Sequence, residues 1–257
     1  MEGHGGAKRP SADARRRRLA QRLESLSLAG VTDLPRRTGV GPRSRPAGPG
    51  RQDDREGRPE AAAGPAAAPE TRERSLAVLR EEVAACRRCE PLARARAHTV
   101  FGAGPATARL CFLGEAPGAD EDATGQPFVG RAGQLLTKII EACTLTRDEV
   151  YILNVLKCRP PDNRPPLAEE TANCRGFFER QLEIIEPDII CCLGTTAAQA
   201  LLQSEETIGK LRKRWFTWRS SQVICTYHPS YLLRNPAAKR EVWDDMKLLM
   251  ARFGVRL

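Results

Sequence analysis

Four short apolar runs constrain the fold of this chain more than any other feature: RLCFLG (109–114), VYILNV (150–155), DIICCLG (188–194) and QVICTYH (222–228). Each is too short for a helix and ends beside polar or glycine residues, which marks a short buried strand. Helical patterns alternate with them: AGQLLTKIIEAC, AEETANCRGFFERQLEIIE and TTAAQALLQ. A further helix, RSLAVLREEVAACRRC, comes first, with Leu76, Leu79 and Val83 on one stripe. Strands alternating with helices predict a three-layer α/β/α sandwich around a short, mostly parallel sheet covered on both faces. In such sheets the ligand crevice forms at the carboxyl ends of the strands. Glu115, Asn154, Gly194 and His228 each end or follow a predicted strand, so the chemistry is expected there.

The first seventy residues are of another kind. They hold no Phe, Tyr or Trp, are rich in Arg, Ala, Gly and Pro, and carry 14 basic against 9 acidic residues, a net +5. Such a segment buries too little apolar surface to offset its ordering entropy. We therefore divide the chain into a disordered basic tail, 1–72, and one α/β domain, 73–257. Within the tail, Ser11 can cap a short helix with Leu19, Leu23 and Leu26 on one face. That stretch reads as a transient helix in a solvated tail, a DNA-tethering arm or a helix for an unknown protein partner. The whole chain is +9, which favours a polyanionic partner without separating DNA from RNA or a membrane surface. No apolar run is long enough to span a bilayer, and the N-terminal arginines lack the apolar stretch of a secretory signal. Nine cysteines in such a chain suggest reduced thiols and a cytoplasmic, nucleoid-associated protein. It is expected to act as a monomer.

Four of those cysteines suit a metal centre. Cys86 and Cys89 form a C-x2-C pair at the end of the first helix, Cys158 follows a strand, and Cys174 lies in the next helix. Four thiolates suit either structural zinc or an iron–sulfur cluster. Cys111, Cys191, Cys192 and Cys225 lie in apolar strands and Cys143 in an amphipathic helix, so these five read as small buried hydrophobes.

Three longer motifs narrow the reading: GEAPGADEDATGQPFVGRAGQLL (114–136), NVLKCRPPDNRPP and YHPSYLLRNP. From about residue 75 onward the chain resembles the family-4 uracil-DNA glycosylases, the iron–sulfur branch of that superfamily. The resemblance implies a [4Fe-4S] cluster on Cys86, Cys89, Cys158 and Cys174, pinning the first helix to the loop that carries CRPPDNRPP. It implies an enzyme of base excision repair that flips uracil from single- or double-stranded DNA and hydrolyses its N-glycosidic bond. The rivals are a covalent-capture protein of the same superfamily and an iron–sulfur redox protein. The segment KLRKRWFTW lacks the histidine that capture relatives use, and no lysine occupies a position for Schiff-base strand cleavage.

The chemistry of each part can be argued separately. A flipped base must be stacked and its edge read. Phe128 is the natural stacking plane, against its ordinary role as a core residue. The amide of Asn154 matches the O4 acceptor and N3–H donor of uracil, and cytosine shows the reverse pattern. Backbone amides of the turn containing Gly114, Ala116 and Gly118 serve the other oxygen. Gly118 replaces a bulky residue that blocks the thymine methyl group in other branches, leaving Glu121 as a candidate for that task. His228 is placed to stabilise charge developing on uracil O2. Ala116 stands where other branches have an aspartate, so Glu115 is the candidate for orienting water or stabilising the cationic sugar. Lys210, Arg212, Lys213 and Arg214, beside Trp215 and Trp218, and Arg234 are candidates for phosphate contacts, against the plainer reading of a solvated charged face. Leu232 is the expected wedge into the gap left by the base, with Leu233 as the alternative.

Overall fold

A computed structural model describes residues 68–255. The tail helix read at Ser11–Leu26 and the disorder expected of the tail lie outside the described residues. The sheet has five strands: β1 (Leu110–Gly114), β2 (Tyr151–Asn154), β3 (Ile189–Leu193), β4 (Trp215–Trp218) and β5 (Ser221–Thr226), ordered β2-β1-β3-β5-β4. The four predicted strands pair in parallel. The one unpredicted strand, β4, is the antiparallel edge, pairing Trp215 with Ile224 and Trp218 with Ser221. Its four residues directly follow the basic run, so the sequence marks Trp215 and Trp218 only as neighbours of candidate phosphate contacts.

The parallel strands are buried nearly throughout, and their side chains alternate between the two faces with the two-residue period of a pleated sheet. Cys111, Leu113, Ile190, Cys192, Val223 and Cys225 face one side. There they meet α1 (Pro69–Ala85), α5 (Ala168–Ile185) and α6 (Thr195–Leu202) through Leu79, Val83, Phe178, Leu182, Ala198 and Leu201. Leu110, Phe112, Ile189, Cys191, Leu193 and Ile224 face the other. They pack on α4 (Arg131–Ala142) and α9 (Lys239–Arg252) through Leu136, Ile140, Met246 and Leu249. This is the three-layer sandwich expected, and all five cysteines read as hydrophobes are buried. Helix α1 starts at Pro69, where a missing N–H costs nothing in a first turn, so the last residues assigned to the tail belong to it.

Four short helices complete the fold: α2 (Glu90–Ala95), α3 (Ala119–Thr124), α7 (Ile208–Leu211) and α8 (Pro229–Arg234). Among the described residues no helix is long and apolar enough to cross a membrane.

Candidate active site

The carboxyl ends of β1, β2, β3 and β5 open on one cavity of about 850 Å³. Glu115, Ala116, Gly118, Phe128, Asn154, His228 and Arg234, all singled out by sequence, line it. Gly114 lies beneath. It pairs in register with Asn154, and a Cβ there would stand 2.3 Å from Asn154 Oδ1 and 2.5 Å from the Phe128 ring. The glycine makes room for amide and ring to meet on the cavity floor. Asn154 is only 1% exposed, and its Oδ1 has no hydrogen-bond partner. An unpaired buried acceptor costs about 1–3 kcal/mol, which a donor on a bound ligand would recover.

His228 is the N-cap of α8, and its Nδ1 accepts the backbone N–H of Ser230 at 3.1 Å. Accepting at Nδ1 leaves the proton of a neutral ring on Nε2. Burial above all, then the charge of Arg234, pushes the imidazole down to about 4, with Glu121 acting in the opposite direction. The ring is therefore neutral at neutral pH and is a donor through Nε2–H. It lies 5.6 Å from the Phe128 ring, centroid to centroid. Across the cavity, Glu115 Oε2 accepts the Thr196 hydroxyl at 2.5 Å, which orients the carboxylate from the first turn of α6.

Glu121, in the first turn of α3, has a different job from a free acid. Its carboxylate accepts the N–H groups of Gly118 (3.0 Å), Val129 (2.9 Å) and Gly130 (3.0 Å). A Cβ at Gly118 would stand 2.7 Å from Glu121 Oε2, so the carboxylate fills the space that a larger residue 118 would take. The sequence names Glu121 as a candidate but not this latch.

Two expected DNA contacts are corrected. Arg212 does not reach outward: it is 6% exposed and donates through Nε to Asp245 at 2.7 Å and through Nη2 to the Glu241 carbonyl at 2.8 Å. Its guanidinium also lies 4.3 Å from the Tyr227 ring centroid, and Asp245 accepts Thr226 Oγ1 at 2.6 Å. Leu232 is 1% exposed and packs in the core beneath α8, because the phase of that helix turns it inward, whereas Leu233 is 38% exposed. Lys210 and Arg214 are exposed, with Arg214 over the Phe216 ring and paired to Glu206, but neither lines the cavity.

The four cysteines sit around one corner. Cys86 caps the C-terminus of α1, Cys89 the N-terminus of α2, and Cys158 and Cys174 are buried behind β2 and in α5. Burial above all pushes up the thiols of Cys89, Cys158 and Cys174, against hydrogen bonds from Asn173, Arg96 and the Lys157 backbone, with Cys174 reaching about 11; charge on others of the four adds to the rise. Arg96 donates to Cys158 Sγ at 2.9 Å and Asn173 to Cys89 Sγ at 3.5 Å. Among the described residues no His, Cys, Asp or Glu group has the compact arrangement of a single-ion site. Lys157 wires this corner to the cavity: its N–H hydrogen-bonds Cys174, and its fully buried Nζ donates to the Asn154 carbonyl at 2.8 Å and that of Phe101 at 3.2 Å. That wiring was missed; a lysine inside the apolar run NVLKC was the available signal, since a buried lysine needs partners.

Residues 101–247 match the family described as "Uracil DNA glycosylase superfamily". The chain belongs to that superfamily. Within it, the chain is 45% identical to the type-4 uracil-DNA glycosylase of Thermotoga maritima over 181 residues, covering 69% of this chain and 94% of that protein. It is 42% identical to the type-4 uracil-DNA glycosylase of Archaeoglobus fulgidus, covering 67% of this chain and 90% of that one. The type-5 uracil-DNA glycosylase of Pyrobaculum aerophilum is 32% identical over 149 residues, 51% of this chain and 66% of that protein.

Proposed function

We propose that this chain is a DNA-repair enzyme that binds uracil flipped out of single- or double-stranded DNA and hydrolyses its N-glycosidic bond, leaving an abasic site. The observation that carries the reading is the unpartnered, buried Oδ1 of Asn154 at the foot of a cavity beside Phe128. The base stacks on Phe128. Asn154 Oδ1 accepts from N3–H and its amide nitrogen donates to O4; cytosine would set acceptor against acceptor and donor against donor. Backbone N–H groups of the turn after Gly114 serve the remaining polar edge, except that of Gly118, which Glu121 accepts. Glu121, filling the space above Gly118, stands against the thymine methyl group.

Bond cleavage leaves negative charge on the departing uracil. The neutral His228 donates Nε2–H to O2 and strengthens that bond as charge develops, and a fixed donor aimed at developing charge lowers the barrier. Glu115, held by Thr196, orients the attacking water or stabilises the cationic sugar on the other side. Arg234 at the cavity rim and Lys210 and Arg214 farther out contact phosphates, and the exposed Leu233 takes the wedge position first given to Leu232. The enzyme acts as a cytoplasmic, nucleoid-associated monomer. The domain proper runs from α1 to the C-terminus, and the basic tail adds sequence-independent affinity for DNA.

Cys86, Cys89, Cys158 and Cys174 fit a [4Fe-4S] cluster, whose cube takes one thiolate at each of four separate irons instead of gathering them on one ion. The hydrogen bonds from Arg96 and Asn173 to two of these sulfurs are the outer contacts such ligands use. Cysteines from the ends of α1 and α2, from α5 and from the loop after β2 would hold the cluster, and a bound cluster would tie these elements together. The deciding test is a uracil-containing oligonucleotide. Repeated turnover to abasic product is expected; a stoichiometric covalent adduct or no reaction would overturn the reading.

A further inference from the structure

Phe128 adopts φ 54°, the left-handed region that a bulky residue occupies only when its surroundings hold it there. Three neighbours do so. On the C-terminal side Glu121 takes the N–H groups of Val129 and Gly130. From beneath, Gly133 of α4 opens the space that the Phe128 carbonyl fills, since a Cβ at 133 would stand 1.9 Å from that oxygen. On the N-terminal side stands Arg147, from the turn before β2. Its Nη2 donates to the Pro127 carbonyl and its Nη1 to Thr137 Oγ1 at 3.3 Å, and its charge is drawn towards Glu121.

Arg147 lies 20 residues beyond Pro127 and lines no part of the cavity. Its Nη2 bond nonetheless acts on the one peptide group that Glu121 and Gly133 leave unheld, and its Nη1 bond anchors the guanidinium on Thr137. If the peptide between Pro127 and Phe128 turns, Phe128 can relax to ordinary backbone angles and the ring plane moves with it. A guanidinium suits this task because its fork reaches a carbonyl and a hydroxyl at once from a fixed plane. We propose that Arg147 is a positioning residue: by fixing the Pro127–Phe128 peptide it sets the plane of the ring on which the flipped base stacks. The proposal rests on the reading of Phe128 as that stacking plane.

The test is a double-mutant cycle of Arg147→Met and Phe128→Ala, with uracil-oligonucleotide kinetics and inhibition by free uracil as readouts. Arg147→Met alone should raise KM and weaken uracil inhibition about tenfold while kcat changes less than about threefold, the pattern of lost base binding. Arg147→Lys should recover part of the loss. In the Phe128→Ala background Arg147→Met should add almost nothing, because a residue acting through the ring has no effect once the ring is gone. An unchanged KM, or losses that multiply in the double mutant, would overturn the role of Arg147 while leaving Phe128 in place. If Phe128→Ala itself costs nothing, the stacking reading falls first, and the proposal with it. Should Arg147→Met fail to fold, Arg147→Lys and Thr137→Val, which disturb the same fork more gently, must show the same KM bias and the same non-additivity.

Discussion

Asn154 and Arg212 are both polar side chains closed inside the fold, 1% and 6% exposed. Arg212 directs its bonds inward, to Asp245, to Glu241 and over the Tyr227 ring. Asn154 keeps an acceptor without a partner, facing a cavity. Gln181 Oε1 and Asp245 Oδ1 also lack partners, but neither residue lines that cavity. A buried polar group is costly to leave bare, so where its bonds go separates scaffold from recognition. The basic segment that reads as a DNA grip contributes cohesion at its centre, and the cavity floor holds the bare acceptor on which the proposed selectivity rests.

The sharpest way to break this contrast is to remove Arg212. Arg212→Met leaves Asp245 as an uncompensated buried charge, a change that costs about 3–5 kcal/mol of stability. Urea unfolding should register that loss while turnover per folded molecule stays close to wild type; an intact fold with lost DNA binding would reverse the assignment. Asn154 should behave in the opposite way. Asn154→Ala should leave the fold intact and cost about 2–4 kcal/mol of transition-state stabilisation. Asn154→Asp loses the donor to O4, so relative preference should move from uracil towards cytosine in matched oligonucleotides. Wild-type uracil rates in that variant would remove Asn154 from base recognition.

The thiols extend the comparison, since the partner proposed for them is a cofactor. Protein purified without oxygen should be brown, with about four irons per chain. Stripping the iron should lower stability, because ligand binding and folding are linked. A colourless protein holding stoichiometric zinc refutes the cluster. His228 adds a pH signature. Its folded pKa, about 4, lies below the unfolded value of 6.5, so the folded state binds the proton less readily. The contribution to stability is thus complete above pH 6.5 and is lost as pH falls towards 4. Activity should stay level through that window and decline only as the ring takes up its second proton near 4; a decline centred near 6.5 would mean an unshifted imidazole. The smallest effect is expected at Leu233. Leu233→Ala should cost about 1 kcal/mol or less on double-stranded substrate and nothing in stability, whereas Leu232→Ala should act on stability, about 2–5 kcal/mol.

The parallel strands are legible because their apolar runs are continuous, and the sandwich follows from their alternation with helices. Strand β4 is not, since WFTW follows a basic run and its pairing with β5 is a tertiary fact. Helix α9 carries Val242, Met246, Leu249 and Met250 at helical spacing, yet its many charges mask the stripe. Asn154 and His228 are legible because motif and strand end coincide, and Phe128 because glycine and proline crowd around it in its motif. The latch of Glu121, the wiring of Lys157 and the fork of Arg147 all act on backbone atoms, which leave no mark in side-chain patterns. Arg212 is misread because a run of charges carries no direction, and Leu232 because only the phase of a six-residue helix decides which leucine turns outward.

The bond that caps α8 also decides what His228 can give away. With Nδ1 committed to the Ser230 N–H, the ring has one proton to share, and a group with a pKa near 4 for its cationic form has no spare proton at neutral pH. It can lend a hydrogen bond to the departing base but cannot protonate it. On the proposed reading, uracil would then leave as an anion and take its proton from water once the bond is broken, so the acidity of the leaving group itself, tunable by a substituent on the ring, would be a direct handle on the rate.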